Sequence, residues 1–197
     1  LSHTLARTVQ TVGASDFRLH GPHHHSATAV AIAAHRLVTS ASAVRGESVT
    51  LSQGETTFTG VVKARDLALD LAFIDTEQTL TPATFATSAP PPVGTLVLQL
   101  ARPGLTVRAT SGIVMAANER PFESARGGEL SSYLETDAAF ERGFVGGPLV
   151  SLTGEVLGLS SLAIVRGRSA IIPSATVLAA AEQIERHGKL QKSWLGL

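Results

Sequence analysis

Short apolar and β-branched runs recur along most of the chain, separated by clusters of glycine, proline and serine. Runs of this kind at regular spacing, with few helical periods between them, are typical of a β-sandwich or β-barrel. The pattern predicts strands at 28–33, 37–40, 49–51, 57–63, 71–75, 94–100, 107–116, 133–136, 148–151, 156–162 and 168–172. We therefore expect an all-β fold.

Two segments depart from the strand pattern. Three consecutive prolines at 90–92 cannot sustain a strand, so residues 87–93 are predicted to be a linker that divides the strands into two groups of similar size. After Ser174, which is a suitable N-cap, apolar residues recur at helical spacing up to a stop at His187-Gly188. The end of the chain is therefore predicted to form one helix.

Composition narrows the function classes. The 197 residues carry 16 Lys+Arg against 16 Asp+Glu, a balance that gives no positive field to attract nucleic acid. The absence of Cys excludes disulfides, thiolate catalysis and zinc–thiolate sites. No apolar run reaches the ~18 residues of a membrane span, and Leu1 does not begin a signal peptide. We expect the soluble part of a longer protein, attached to a membrane only through segments outside this chain.

One glycine-rich run carries most of the chemical information. The run TDAAFERGFVGGPLV at 136–150 is similar to the nucleophile segment T-D-A-A-I-N-x-G-N-S-G-G-P-L of the HtrA/Deg family of trypsin-fold serine proteases. In the same order, LVTSASAV at 37–44 resembles the family segment that carries the general base, and DLAFI at 70–74 the segment that carries the orienting acid. TSGIV at 110–114, IPS at 172–174 and SWLGL at 193–197 resemble further family motifs.

Two of the three triad positions depart from the family. The alignment puts Ser42 at the histidine base and Val145 at the serine nucleophile, and Asp70 alone remains. Valine has no lone pair, and a serine hydroxyl cannot accept a proton at pH 7. The resemblance therefore implies a degenerate protease without hydrolytic activity.

Other hydroxyls and imidazoles are not expected to complete a triad. Ser151 follows the vacant position on the outgoing strand, and His35 is expected to be a surface residue in a turn between two strands. The resemblance places the family's substrate-pairing strand at Leu159, Ser160, Ser161, Leu162 and Ala163. An extended peptide is expected to add there as a strand without being cut.

The turn before Val145 keeps its glycines. Gly143, Gly146 and Gly147 either retain the family's oxyanion hole, formed by the Gly143 and Val145 N–H groups, or only hold a required backbone shape. The apolar pair Phe144-Val145 replaces a polar pair of the family. We expect it to turn inward, to flip the Gly143 peptide and to break the oxyanion hole.

The segment HGPHHH at 20–25 is a second candidate site. The imidazoles of His20, His23, His24 and His25 could bind a transition metal, although a solvated loop or a tag fragment is the favoured explanation, and the internal position argues against a tag. No other cofactor is predicted.

The resemblance sharpens the fold to two six-stranded barrels. It implies an N-terminal barrel at 1–91, a C-terminal barrel at 92–172, and at 173–197 the C-terminal helix followed by the start of a linker to a PDZ domain. It also implies an extracytoplasmic protein, a protein or peptide partner and a homotrimer. The predicted function is binding by an inactive protease homologue. The alternatives are an active endopeptidase with a rearranged or partner-completed site, and a metal-binding protein.

Overall fold

Two closed six-stranded antiparallel barrels form the body of the protein. The computed structural model describes residues 1–21, 26–118, 121–125, 127, 129–166 and 169–187. The strands are β1 (Asp16–His20), β2 (Ser26–Ala33), β3 (Arg36–Ser40), β4 (Ser48–Gln53), β5 (Thr56–Asp66), β6 (Leu71–Asp75), β7 (Leu96–Ala101), β8 (Arg108–Asn118), β9 (Phe122–Glu123), β10 (Glu129–Leu130), β11 (Tyr133–Thr136), β12 (Pro148–Ser151), β13 (Val156–Ser161) and β14 (Ala170–Pro173). The helices are α1 (Ser2–Gly13) and α2 (Ser174–His187).

The first barrel contains β1 to β6 in the order β1-β2-β3-β6-β5-β4. Alternate residues of each strand point inward, as the two-residue period of a strand requires. Phe17, Leu19, Leu37, Leu51 and Ile74 are among the buried side chains of its core. The register pairs Ser40, at the end of β3, with Leu71, at the start of β6. These two strand ends supply two of the candidate site positions.

The second barrel has the strand order β11-β14-β13-β12-β7-β8. Val97, Val114, Leu134, Leu149 and Ile171 form its buried core. The two-stranded sheet of β9 and β10 lies outside both barrels.

A third apolar cluster joins the two barrels. It combines Val38 and Phe73 of the first barrel with Leu100 and Leu159 of the second, and Ile184 of α2 packs in the same cluster. The segment between the barrels contributes a parallel bridge from Phe85 to Val156. The barrels are therefore fixed against each other by a continuous buried interface.

Helix α1 was not expected from the sequence. Leu5 and Val9 pack against the cluster between the barrels, and Val12 is buried in it. The Thr8 hydroxyl donates a hydrogen bond of 2.7 Å to the carbonyl of Leu152 in the second barrel. The first helix of the chain therefore docks on the second barrel.

The predicted all-β fold of two six-stranded barrels followed by a C-terminal helix is confirmed. Helix α2 begins at Ser174, as predicted. Strand β1 and the short β9 and β10 were missed. In the part of the chain that the structure describes, neither helix has the length and apolar character needed to traverse a bilayer.

Candidate functional site

The ends of β3 and β6 bring Ser42 and Asp70 together. Ser42 lies in a 3₁₀ turn, Ala41–Ala43, that directly follows β3, and Asp70 directly precedes β6. The Ala41 N–H donates to the Asp70 carbonyl over 3.0 Å. Asp70 has a backbone φ of 55°, in the left-handed region that aspartate tolerates better than most residues. The two positions therefore lie next to each other in the fold.

Amide and hydroxyl donors surround the Asp70 carboxylate. Asp70 is 1% exposed, and its Oδ1 accepts the Ser42 backbone N–H at 2.8 Å. Its Oδ2 accepts the Ser40 hydroxyl at 2.6 Å and the Ser161 hydroxyl. Both oxygens of this buried carboxyl group therefore have hydrogen-bond donors without the imidazole that an active triad would provide.

The Ser42 side chain contacts Ser40 and not Asp70. Its Oγ lies 2.7 Å from the Ser40 Oγ, and the residue is exposed. The Ser42 hydroxyl is therefore connected to Asp70 through Ser40, while its own backbone N–H contacts the carboxylate directly. Ser40 and Ser161 were not predicted as partners of Asp70, because neither position shows a spacing that identifies it.

The turn that carries Val145 packs against the first barrel. A 3₁₀ turn, Arg142–Phe144, precedes Val145, and the Phe144 N–H donates to the Glu141 carbonyl at 2.9 Å. Val145 is partly buried against the core of the first barrel, and its carbonyl accepts the Thr28 N–H at 2.9 Å. Phe144 is 2% exposed. The apolar pair is therefore directed into the protein, as expected.

Thr28 also holds the Gly143 carbonyl. The Thr28 hydroxyl donates to that carbonyl at 2.9 Å and accepts the Arg102 backbone N–H at 2.9 Å. One buried threonine thus ties the turn to both barrels. The direction of the Gly143 and Val145 N–H groups, and with it the broken oxyanion hole, stays a prediction.

Gly146 is required by the packing of this turn. Its φ is +77°, and a Cβ at this position would lie 2.3 Å from the Thr39 Oγ1 and 2.4 Å from the Thr28 carbonyl oxygen. No other residue fits without moving the backbone of the first barrel. The glycine is therefore explained by the barrel contact alone.

The predicted peptide-binding strand is only partly available. Leu159 and Ser160 of β13 are paired on both sides. On one side Leu159 pairs with β12 and Ser160 with the turn before β12, and on the other side both residues pair with β14. Leu162 and Ala163 lie beyond the end of β13, and Leu162 is 46% exposed. The Ala163 N–H donates to the Ser161 Oγ at 3.0 Å. A peptide could therefore pair only from Ser161 onwards.

The other residues considered as substitutes for the triad do not complete it, because they lie away from the turn of Val145 or already form hydrogen bonds. Ser160 is fully buried, and its hydroxyl contacts the carbonyls of Phe144 and Gly147. Ser151 lies on β12, 2.8 Å from the Thr153 hydroxyl. His35 is exposed in the turn between β2 and β3, as predicted.

The His-rich segment is described only at its first residue. His20 ends β1, and its Nε2 lies 2.8 Å from the Ser52 Oγ. His23, His24 and His25 lie outside the described residues. No group of three or more His, Cys, Asp or Glu side chains suited to a metal occurs within the described part of the chain. Metal binding at this segment stays a prediction.

The comparisons with known proteins identify the class. A model of the trypsin-like peptidase domain matches residues 27–159. The chain belongs to this family, and its similarity is to the HtrA/Deg group of trypsin-like proteases.

Individual relatives give the extent of the similarity. The mitochondrial serine protease HTRA2 of Bos taurus is 34% identical over 168 residues, which cover 82% of this chain and 35% of HTRA2. Serine protease HTRA4 of Homo sapiens is 35% identical over 172 residues, covering 82% and 36%. The chain thus spans about a third of the length of these curated relatives.

Solved structures agree on the fold. The crystal structure of Deg5 superimposes with a TM-score of 0.79 at 21% identity and covers 95% of this chain and 97% of Deg5. The HtrA-type protease AlgW S227A with a tripeptide gives a TM-score of 0.82 at 21% identity, covering 98% and 67%.

Proposed function

We propose that this protein is a catalytically inactive HtrA-like serine protease homologue that acts by binding a protein or peptide. The observation that carries the proposal is Val145 at the nucleophile position, packed against the core of the first barrel. A valine there supplies no atom that can attack a carbonyl.

The environment of Asp70 supports the same conclusion. An orienting carboxylate acts on an imidazole, and here it accepts the Ser42 amide and the Ser40 and Ser161 hydroxyls. Ser42 cannot serve as a base in the neutral pH range. Loss of the nucleophile or the base alone costs on the order of 10⁶ in kcat in triad proteases.

Binding would use the end of β13. Leu162 and Ala163 lie beyond the paired part of the strand, whereas Ser161 still pairs with Ala170 of β14, and the exposed Leu162 side chain provides an apolar contact. An extended peptide adds to such an edge through main-chain hydrogen bonds. The Ser161 hydroxyl, which holds the Ala163 N–H, would have to release it for this pairing.

Similarity to the family supports proposals on the oligomeric state and cellular location of the full-length protein. A relative from Ectopseudomonas mendocina is named "Probable periplasmic serine endoprotease DegP-like" and is 36% identical over 116 residues, which cover 53% of this chain and 23% of that protein. We propose an extracytoplasmic location and a homotrimer for the full-length protein, with a PDZ domain after the helix.

Labelling with a fluorophosphonate probe and hydrolysis of casein test the inactivity. We expect neither labelling nor turnover in the wild-type protein or in Val145→Ser. The double variant Ser42→His/Val145→Ser, which keeps Asp70, should be labelled if the cleft is still open, and adding Asp70→Asn should then reduce that labelling. Labelling of the wild-type protein at one serine, removed when that serine is mutated, would contradict the proposal.

Peptide binding is tested on an array of random dodecapeptides. Ala163→Pro, which removes the N–H, should lose the signal of the wild-type protein, whereas Ala163→Ser, which keeps the N–H, should retain it. Equal binding by both variants would exclude strand addition at this edge. A Zn²⁺ affinity resin tests the metal-binding alternative. Binding of the wild-type protein to the resin, and loss of that binding in a variant without the four His residues at 20 and 23–25, would support it.

A further inference from the structure

A buried carboxyl without a hydrogen-bond partner lies at the junction of α1 and the two barrels. Asp16 is the first residue of β1 and is 0% exposed. Among the described residues, neither of its carboxylate oxygens has a hydrogen-bond partner. Buried polar atoms are almost always hydrogen-bonded, so this arrangement requires an explanation.

The guanidinium of Arg102, beside Asp16, donates its hydrogen bonds to backbone carbonyls and not to the Asp16 carboxyl group. Arg102, 9% exposed, follows β7, and its Nε donates to the backbone carbonyl of Asp16 at 2.7 Å. Its Nη2 donates to the Gly13 carbonyl at 2.8 Å, and its Nη1 to the Leu105 carbonyl at 2.8 Å. The guanidinium therefore holds the C-terminal end of α1, although a carboxyl group is close by.

Arg102 is the charged group that faces Asp16. The neighbouring strands β2 and β4 contain no titratable residue, and the last turn of α1 contains no basic one. Gln53 of β4 donates to the Asp16 backbone carbonyl at 3.1 Å, not to its carboxyl group. Burial raises the pKa of Asp16 to about 8, and Arg102 offsets this only in part. Asp16 is therefore protonated at neutral pH.

We propose that Asp16 and Arg102 form a proton-dependent latch that fixes α1 against the junction of the two barrels. While Asp16 is neutral, the guanidinium is shared among backbone carbonyls, including that of Gly13. When the proton leaves, a buried carboxylate beside a guanidinium gains most from a paired, charge-assisted contact. Arg102 then turns to Asp16, the Gly13 carbonyl loses its donor, and α1 loosens.

Other contacts also hold α1. They include the Thr8 hydrogen bond to Leu152, the packing of Leu5, Val9 and Val12, the close approach of Gly13 to Val107, and the neighbouring hydrogen bond from Gln53 to the Ala14 carbonyl. A helix of 12 residues is marginal without tertiary packing. Loss of one charged anchor is therefore enough to shift its docking equilibrium.

The latch also contacts the turn of Val145. The Arg102 backbone N–H donates to the Thr28 hydroxyl, which donates to the Gly143 carbonyl. A change in the position of Arg102 is therefore transmitted to that turn through two hydrogen bonds. This provides a route by which pH would change the cleft of the proposed binding protein, although the latch itself does not depend on that function.

A fluorine label on α1 tests the latch. The chain has no Cys, so Gln10→Cys, at an exposed position of α1, can be labelled uniquely with a trifluoromethyl tag and followed by ¹⁹F NMR between pH 6 and 10. We expect a second resonance or a shift with a midpoint near pH 8, as the pKa of Asp16 requires. The same label in Asp16→Asn should give no such transition, and a label at the exposed Val61 should report none in either protein.

Two outcomes would overturn the latch. One is a flat ¹⁹F titration in the wild-type background, and the other is an identical transition in Asp16→Asn. If Asp16→Asn does not fold, ¹³C NMR of the Asp16 carboxyl carbon in the otherwise wild-type protein decides the question. A midpoint of that carbon below pH 5 excludes the latch. A midpoint that differs from the midpoint of the α1 label also excludes it.

Discussion

Replacing Asp16 by asparagine should stabilise the protein at neutral pH. The pKa of Asp16 rises from 3.8 to about 8 on folding, so between these values the folded protein keeps a proton that the unfolded chain has lost. Each pH unit in this window lowers the free energy of unfolding by about 1.4 kcal/mol. At pH 7 the accumulated loss is about 4 kcal/mol. Asparagine has nearly the same shape and cannot ionise, so its variant does not incur this loss.

Urea denaturation at several pH values measures the effect. The free energy of unfolding of the wild-type protein should fall relative to that of Asp16→Asn as pH rises from 5 to 7, and the two should converge towards pH 4. The comparison between the two proteins cancels the titration of all other groups, provided that the m-values agree. Parallel pH profiles, or a wild-type protein that gains stability over Asp16→Asn as pH rises, would refute the assignment of a protonated buried Asp16.

Two further substitutions test the packing of the site by urea denaturation. Gly146→Ala should destabilise the protein by more than about 2 kcal/mol, since it adds a steric clash to an unfavourable φ. Gly54→Ala should cost only about 1 kcal/mol, because Gly54 also has a positive φ but open space around it; equal costs would contradict the proposed clash. Ser161→Ala should cost about 2 kcal/mol by removing a donor to the buried Asp70, whereas Ser42→Ala keeps its N–H donor and should change little. A larger effect at Ser42 than at Ser161 would reverse the assignment.

Most of the fold follows from local sequence signals. Strands β2 to β8 and β11 to β14 were each predicted near their observed positions, because their Val, Ile, Leu and Thr residues alternate or form short apolar runs between turn residues. Ser174 correctly marked the start of α2. The two-barrel arrangement came from the family resemblance, since strand periodicity does not distinguish a barrel from a sandwich.

The missed elements differ in their local signals. Helix α1 was missed although Leu5, Val9 and Val12 recur at helical spacing, and what fixes its position is contacts with Leu152 and Arg102, which are distant in sequence. Strand β1 alternates correctly, but Asp16 is an unfavourable strand residue, and its burial comes from the second barrel and α1. Strands β9 and β10 have two residues each, too few to show a period.

The candidate site was predictable in position but not in its contacts. Motif order located Ser42, Asp70 and Val145, because the resemblance supplies positions. The hydrogen bonds from Ser40 and Ser161 to Asp70, and from Thr28 to Gly143, connect residues that no local pattern relates. Such contacts depend on how the two barrels meet, which is a property of the whole fold.

The contact of Gly146 with the first barrel affects how members of this family are recognised from their sequences. A side chain at this position would collide with Thr39 and with the Thr28 carbonyl whether or not residue 145 can act as a nucleophile. Gly146 is thus a marker of barrel docking. Its presence in a sequence carries no information about catalysis, which depends on the residues at positions 42 and 145.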